Sequence, residues 1–434
     1  MRIILIRPRF AEGYRSPAVM EPLALAVLAA LTPKEHDVHA VDEHLDENPL
    51  DRQADLVAIT VCTFSAKRAY DIAAHYRKRG VPVVMGGFHP TLLPSEALEH
   101  ADAVVTGDAE ASWLHVLADA AAGRLRRLYA SALPGPMEAV QPDRSIFADR
   151  KYLPIRLVQF GRGCPRSCEF CSVRTFYNGG VRRRPVDAVV AELRSCRARR
   201  VFFVDDNLLS DRDALCGLLE AILPLKLRWS GQTDLGIADD SELLKLARRS
   251  GCQSLLIGFE SLDKGNLRQM GKERNLSSDF ETRLGRIRRA GIMVYGTFLF
   301  GYDNDTPGSI SRTLDFALKQ KLCLANFNPL QPIPGTPLYE RLSREGRLVY
   351  ERWWLEPAYQ WHEALIYPRG MTTGQLTEGC RRAREKFHSL AGIARRLPSR
   401  AHLDSVDNLA VYLLANLVSG LDIRAKSRVR KSAP

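Results

Sequence analysis

Two runs of short, β-rich apolar segments alternate with helical patterns along this chain, one over residues 1 to about 125 and another from about 156. In the first run the pattern predicts strands at Arg2–Ile6, Val38–Val41, Leu56–Val61, Val81–Met85 and Ala103–Val105. Helices are predicted between them at Pro22–Leu31, Ala66–Arg79 and Ala111–Ala122. Such alternation requires a parallel sheet covered by helices on both faces, with ligands taken at the carboxyl ends of the strands. A proline-marked connector (Pro134, Pro136, Pro142, Pro154) leads into the second run. There strands are predicted at Arg156–Phe160, Val201–Asp205, Arg228–Gln232, Ser254–Glu260, Met293–Phe300 and Ala325–Gln331. The helices between them include Val186–Cys196, Asp213–Ile222, Ser241–Arg249, Phe280–Ala290 and Ser309–Lys319. Six strand–helix repeats predict a partial barrel related to the eight-fold one. The expected fold is therefore α/β: a doubly wound, Rossmann-like domain over 1–125, a linker over 126–155, a partial (βα)6 barrel over 156–335 and a mainly helical region over 336–434.

Directly after the first barrel strand, at the face where such folds build active sites, stands Gly-Cys164-Pro-Arg-Ser-Cys168-Glu-Phe-Cys171. Three thiolates on one short loop can hold three irons of a 4Fe–4S cube and leave the fourth iron without a protein ligand, whereas four thiolates are usual. An open iron can chelate the amino and carboxylate groups of S-adenosylmethionine and pass an electron to its sulfonium. A structural zinc site wants four N/S ligands, and no fourth cysteine or histidine follows closely. Three unrelated buried thiols would leave the spacing without a reason. The CxxxCxxC spacing, with Phe170 before the last cysteine, resembles the radical S-adenosylmethionine superfamily.

Composition agrees with an intracellular enzyme. Of 434 residues 45% are hydrophobic, enough for large cores, and nine cysteines without framework spacing argue against secreted disulfides. Met1-Arg-Ile-Ile-Leu-Ile6 runs straight into a strand, with no leader pattern, so the cytoplasm is expected. The net charge of +12 resides partly in Arg182–Arg184, Arg199–Arg200 and the tail Arg424–Lys431. No helix-turn-helix, zinc-finger or aromatic RNA-binding signature accompanies it, so nucleic acid is not expected as a partner. The apolar stretch Leu409–Leu421, at about 13 residues, is shorter than the ~20 of a membrane span. Contact of 409–431 with a membrane surface is the less favoured reading, and packing on the protein itself the favoured one. Trp353, Trp354, Tyr359 and Trp361 either plug the open barrel or meet substrate, before a helix predicted at Thr373–Phe387.

Polar residues at barrel strand ends are the candidates for holding S-adenosylmethionine: Asn207, Gln232, Glu260 and Ser261, with Gly296 and Gly301 letting backbone close over the adenine. Orientation of the sulfonium and of the 5′ carbon decides which bond reacts, so these partners must be fixed. In the first run, the strand-end segments Thr60–Phe64, Gly86–Thr91 and Gly107–Glu110 carry the second candidate set: Thr60, Thr63, Gly86, Gly87, His89, Gly107 and Glu110. Glycines there let backbone approach a large flat ligand, although ordinary turn chemistry also ends strands this way.

The whole arrangement, with Gly86-Gly-Phe-His-Pro-Thr91, Phe203-Val-Asp-Asp-Asn207, Ile257-Gly-Phe-Glu-Ser261, Phe300-Gly301 and Pro334-Gly-Thr-Pro337, resembles the cobalamin-binding class of radical S-adenosylmethionine enzymes. The resemblance implies cobalamin on the first domain, an external flavodoxin- or ferredoxin-type electron donor, a small-molecule substrate and methyl transfer to an unactivated carbon. The alternatives it leaves are cyclisation, oxidation or rearrangement by the same architecture. Many cobalamin proteins coordinate cobalt through a histidine after strand one; here Arg7–Tyr14 contains none, which implies cobalamin without that ligand. An RNA methylthiotransferase would need further N-terminal cysteines, and only Cys62 precedes the loop.

Overall fold

A computed structural model of the chain describes residues 1–11, 16–46, 50, 52–130, 137, 139–196, 199–276 and 279–432, the last six of these as backbone only. Residues 12–14 of the loop after the first strand, and Pro134 and Pro136, lie outside the described residues.

Six parallel strands build the first sheet: β1 (Arg2–Arg7), β2 (Asp37–Asp42), β3 (Leu56–Thr60), β4 (Val83–Gly86), β5 (Ala103–Thr106) and β6 (Leu128–Ala130), in the order β2-β1-β3-β4-β5-β6. Both faces of the central strands β1, β3, β4 and β5 are apolar because both are covered. Ile4, Ile6, Val57, Ile59 and Met85 pack with the helix Ala66–Lys78, whereas Ile3, Leu5, Ala58, Val84 and Val105 pack with Leu23–Leu31 and Trp113–Ala121. The order reverses between β1 and β3, so the ligand crevice of such a sheet opens at those carboxyl ends. Strand β6 escaped the sequence reading because only three residues pair, directly after Arg126 and Arg127.

The second sheet is again wholly parallel, with its strands side by side in chain order: β7 (Arg156–Val158), β8 (Arg200–Phe203), β9 (Arg228–Thr233), β10 (Cys252–Glu260), β11 (Met293–Phe300) and β12 (Leu324–Pro329). Its edges β7 and β12 do not pair, which makes it a partial barrel. Period-2 alternation sorts the side chains. Phe259, Phe298 and Phe327 stack against one another and, with Phe280 and Phe316, form the layer under the outer helices. Tyr295, Thr297, Asn326 and Asn328 alternate with them and face the lumen.

The C-terminal region corrects two expectations. Trp353 and Trp354 do not plug the barrel; they are buried in the core of the first domain beside Phe64 and His89. Their ring nitrogens donate to the Pro332 carbonyl at 2.8 Å and to Glu96 Oε1 at 2.9 Å. Two buried indoles contribute on the order of 5–10 kcal/mol of transfer free energy as an upper bound, which clamps this region onto the first sheet. The last helix runs Val406–Ser432, and its Val406–Lys426 stretch is long and apolar enough to cross a membrane by length and composition. One side of it is docked: Asn408, Tyr412 and Asn416 are buried, with Asn416 Nδ2 donating to the Cys323 carbonyl at 3.0 Å. Leu414, Leu417 and Leu421 on other faces are about half exposed.

Candidate functional site

The cysteine loop leaves β7 through a two-residue strand, Gly161–Arg162, paired antiparallel with Arg182–Arg183. Its base is tethered by two acids at the end of β8. Asp205 accepts the Phe160 N–H at 3.0 Å and the Gly161 N–H, and Asp206 accepts the Gly163 N–H at 2.7 Å. Burial pushes the Asp205 carboxyl up to about 7, with the charge of Asp206 adding to it. All three thiols of the loop are free; burial raises Cys171, with Cys164 adding to it. Burial pushes Cys168 up to about 11, opposed by the Lys272 ammonium. Among the described residues no three His, Cys, Asp or Glu side chains converge as for one metal ion. A single zinc would need such convergence at about 2.3 Å per sulfur. The loop offers three thiolates and no fourth, a donor set that suits three corners of a 4Fe–4S cube with one iron left open.

Glu260 stands beside this loop for a specific backbone reason. The β10–β11 register shifts between Gly258 and Glu260, and Glu260 adopts φ +63°, which turns its side chain back across Gly258. A Cβ at position 258 would sit 2.1 Å from Glu260 Oε1, so only glycine leaves room. Lys272 Nζ donates to Glu260 Oε1 at 3.1 Å and to the Gly258 carbonyl at 2.9 Å. Asn207 reaches the same place: its Nδ2 lies 3.9 Å from Cys164 Sγ and donates to Asp234 at 3.3 Å, and Arg166 donates to Asp234 at 2.7 Å. Gln232 Nε2 donates to the Asp206 carbonyl at 2.9 Å.

Three further expected members have other contacts. Ser261 Oγ accepts the Asp263 N–H at 3.0 Å, a turn-making role. Gly296 is glycine because a Cβ would meet Leu322 and the Phe259 ring behind the sheet. Gly301 lies against Ile366 and Leu376 in the core, not over the lumen.

A cavity of about 450 Å³ opens between the carboxyl ends of the two sheets. From the first sheet Thr60, Gly86, Gly87, Gly107 and Glu110 line it; from the barrel come Gln159, Arg162, Phe176, Tyr177 and Asp206. It extends past Ala58, Val84 and Val105 to the helix Leu23–Leu31, giving a mainly apolar slot along the sheet. A slot of this shape, mainly apolar and with backbone edges at its mouth, fits a flat corrin cofactor. Gly87 is glycine for a different reason from the one its strand-end position suggests. A Cβ at position 87 would meet the Val61 carbonyl at 2.9 Å, and φ there is +104°, so Gly87 is required by the chain itself rather than by approach of a ligand.

Thr63 and His89 do not reach this cavity. The short helix Phe88–Leu92 turns His89 fully inward, where Nε2 meets Tyr70 Oη at 3.0 Å and Glu96 Oε1 at 3.1 Å, and Nδ1 faces Thr63 Oγ1 at 3.4 Å. That buried knot also receives Trp354, so it serves the docking of the C-terminal region. Arg162 was missed by the sequence reading, although an arginine between two glycines just before the cysteines was a visible signal. Lys272 carried no signal at all, since it reaches Glu260 only through the loop after β10.

Residues 158–317 match the model of the Radical SAM superfamily, and residues 15–117 match the B12 binding domain. The chain is 31% identical over 412 residues to the bacteriochlorophyllide d C-12(1)-methyltransferase of Chlorobaculum tepidum, covering 92% of this chain and 89% of that one. It is also 31% identical over 356 residues to the bacteriochlorophyllide d C-8(2)-methyltransferase of the same organism, covering 76% and 78%. In fold it resembles the radical S-adenosylmethionine methyltransferase TsrM from Kitasatospora setae, solved with cobalamin and a [4Fe-4S] cluster, with a TM-score of 0.64 at 17% identity over 79% of this chain and 75% of that one. The chain belongs to the cobalamin-binding radical S-adenosylmethionine enzymes and is a methyltransferase of that family, using a 4Fe–4S cluster, S-adenosylmethionine and cobalamin.

Proposed function

We propose that this methyltransferase acts on an unactivated carbon of a tetrapyrrole of the bacteriochlorophyllide kind. One geometric observation supports the reaction: a single cavity touches both the strand ends of the first sheet and the base of the cysteine loop. Similarity to two bacteriochlorophyllide methyltransferases supports the acceptor.

In this reading Cys164, Cys168 and Cys171 hold the cluster, and Asn207, Gln232 and Glu260 bind the polar groups of S-adenosylmethionine. Lys272 compensates the Glu260 carboxylate. Thr60, Gly86, Gly107 and Glu110 line the seat of cobalamin, and Gly87 shapes its wall. When bound, these groups supply an electron, a hydrogen-abstracting 5′-deoxyadenosyl radical and a methyl carrier. The protein orients them and excludes water, with Phe88 packed on Phe176 at 4.5 Å where the two domains meet. The electron comes from a flavodoxin- or ferredoxin-type donor, and the enzyme works in the cytoplasm. Its functional units are 1–125, 156–335 and 336–434, joined by 126–155.

The test is anaerobic turnover of the reconstituted enzyme with trideuteromethyl S-adenosylmethionine and bacteriochlorophyllide d. The expected result is pigment carrying one labelled methyl group together with 5′-deoxyadenosine. Unlabelled pigment with an altered ring mass would favour cyclisation or oxidation instead.

A further inference from the structure

A second cavity, of about 250 Å³, lies at the open edge of the barrel, where β12 meets the helix Thr373–Phe387 and the last helix. Its lining brings lumen-facing Tyr295, Asn326 and Asn328 together with His362, Arg384 and His388. The charge there is incompletely answered. Arg384 uses only Nη1, which donates to the Phe327 carbonyl at 3.1 Å and to Asn328 Oδ1 at 3.3 Å, and no carboxylate among the described residues pairs with it. Two acids also line the cavity, Glu363 and Asp422, and neither forms an ion pair with Arg384; Asp422 holds Lys426 at 2.6 Å. Arg396 makes the contrast. It too lacks a carboxylate, yet its three nitrogens are met by four backbone carbonyls and Asn416, so its role is structural.

The neighbouring imidazoles are in the same condition as Arg384. His362 Nε2 and His388 Nδ1 are buried without a hydrogen-bond partner among the described residues. Buried polar atoms are nearly always paired, so orphans gathered around one space mark a place that a ligand completes. Burial holds both rings well below the ordinary histidine range, with Arg384 adding to the shift of His362, so the rings are neutral at pH 7 and Arg384 carries the charge. Trp361, stacked on His362 with centroids 4.4 Å apart, is itself in edge contact with Phe10 of the first domain, so the cavity lies at the junction of the two domains.

We infer that this cavity is a substrate-anchoring site in which the free guanidinium nitrogens of Arg384, flanked by His362 and His388, bind a carboxylate side chain of the acceptor. The inference rests on the tetrapyrrole reading above for the identity of that acid, since a bacteriochlorophyllide is a free propionic acid. Arg384 is thus a specificity-determining residue for the substrate, separate from both cofactor seats.

The test is calorimetric titration of the reconstituted enzyme with bacteriochlorophyllide and with its propionate methyl ester, which differ only in that charge. The native enzyme should bind the acid at least about tenfold more tightly, as expected of a charge-assisted, bidentate contact. Arg384→Gln should remove the preference by weakening the acid to the level of the ester, and Asn328→Asp, which places a carboxylate beside Arg384 from within, should do the same. Equal affinities in the native enzyme, or a preference that survives Arg384→Gln, overturn the site. A second pair, 3-phenylpropionate and its amide, separates the two claims. If neither pigment binds while 3-phenylpropionate still does so in an Arg384-dependent way, the tetrapyrrole reading falls and the carboxylate site stands. If neither pair binds, both fall.

Discussion

Arg162 Nη2 donates to Glu110 Oε1 at 2.6 Å, and this pair ties the strand leading into the cysteine loop to the loop after β5. The same guanidinium meets Asp108 at 2.9 Å and Gln159 at 2.8 Å, and Arg182 joins it on Asp108. Both partners are largely buried at the wall of the cavity, so the contact holds the two strand-end loops together across it.

Replacing Arg162 with Met should act on the proposed cobalamin seat, which Glu110 lines, more than on the cluster. It leaves Glu110 without a cation at the cavity wall, a loss on the order of 1–3 kcal/mol. Cobalamin affinity should fall about tenfold, with iron and sulfide content unchanged. Parallel assays of iron and cobalamin decide it, and equal loss of both would mean that the variant merely folds poorly.

The cluster ligands make the sharpest chemical prediction. Changing Cys164, Cys168 and Cys171 together to Ala should abolish the absorption near about 400 nm expected of the reconstituted cluster. Changing Cys252, Cys323 or Cys380 should leave it intact, because these thiols are buried and burial raises all three above the ordinary thiol range. Retained iron and sulfide in the triple variant would falsify the ligand assignment.

Gly258→Ala tests the seat of Glu260 without touching its charge. The added methyl collides with Glu260 Oε1 at 2.1 Å and crowds Lys272 Nζ at 2.8 Å, so the carboxylate must leave its place. The expected outcome is an affinity for S-adenosylmethionine lowered roughly tenfold, about 1.4 kcal/mol, with iron content unchanged. Anaerobic calorimetry on the reconstituted protein measures it. Unaltered affinity would remove Glu260 from the binding site.

The residues that the sequence exposed and those it hid differ in a physical way. Strands such as Met293–Phe300 and helices such as Ser241–Arg249 were legible to the residue because period and length follow from burial. The cysteine loop was legible because its spacing is local. What stayed hidden depends on where a chain turns. His89 and Thr63 stood at a strand end, as a ligand residue would, yet one short helical turn carries His89 into a buried pair with Glu96. Gly296 and Gly301 were read as openings toward adenine, and both answer to side chains behind the sheet. Arg384 gave no sign, since its unanswered charge exists only once the last helix and β12 close around it.

Asp205 supplies a pH test of the loop's anchorage. Its carboxyl is pushed up to about 7 in the folded protein, against an ordinary value of 3.8. Between those values the folded state holds a proton that the unfolded state releases, so this group's contribution to stability grows as pH falls from 8 toward 5. A shift of that size corresponds to roughly 4 kcal/mol at most. Buried neutral His388 and His402, both held at about 4, act in the opposite sense over part of this range, because the unfolded chain takes up their protons first. Comparison with Asp205→Asn cancels those histidines. The melting temperature of the native protein relative to the variant should rise steadily between pH 8 and pH 5, and a difference that stays flat across that range would show that Asp205 is ionised in the fold throughout.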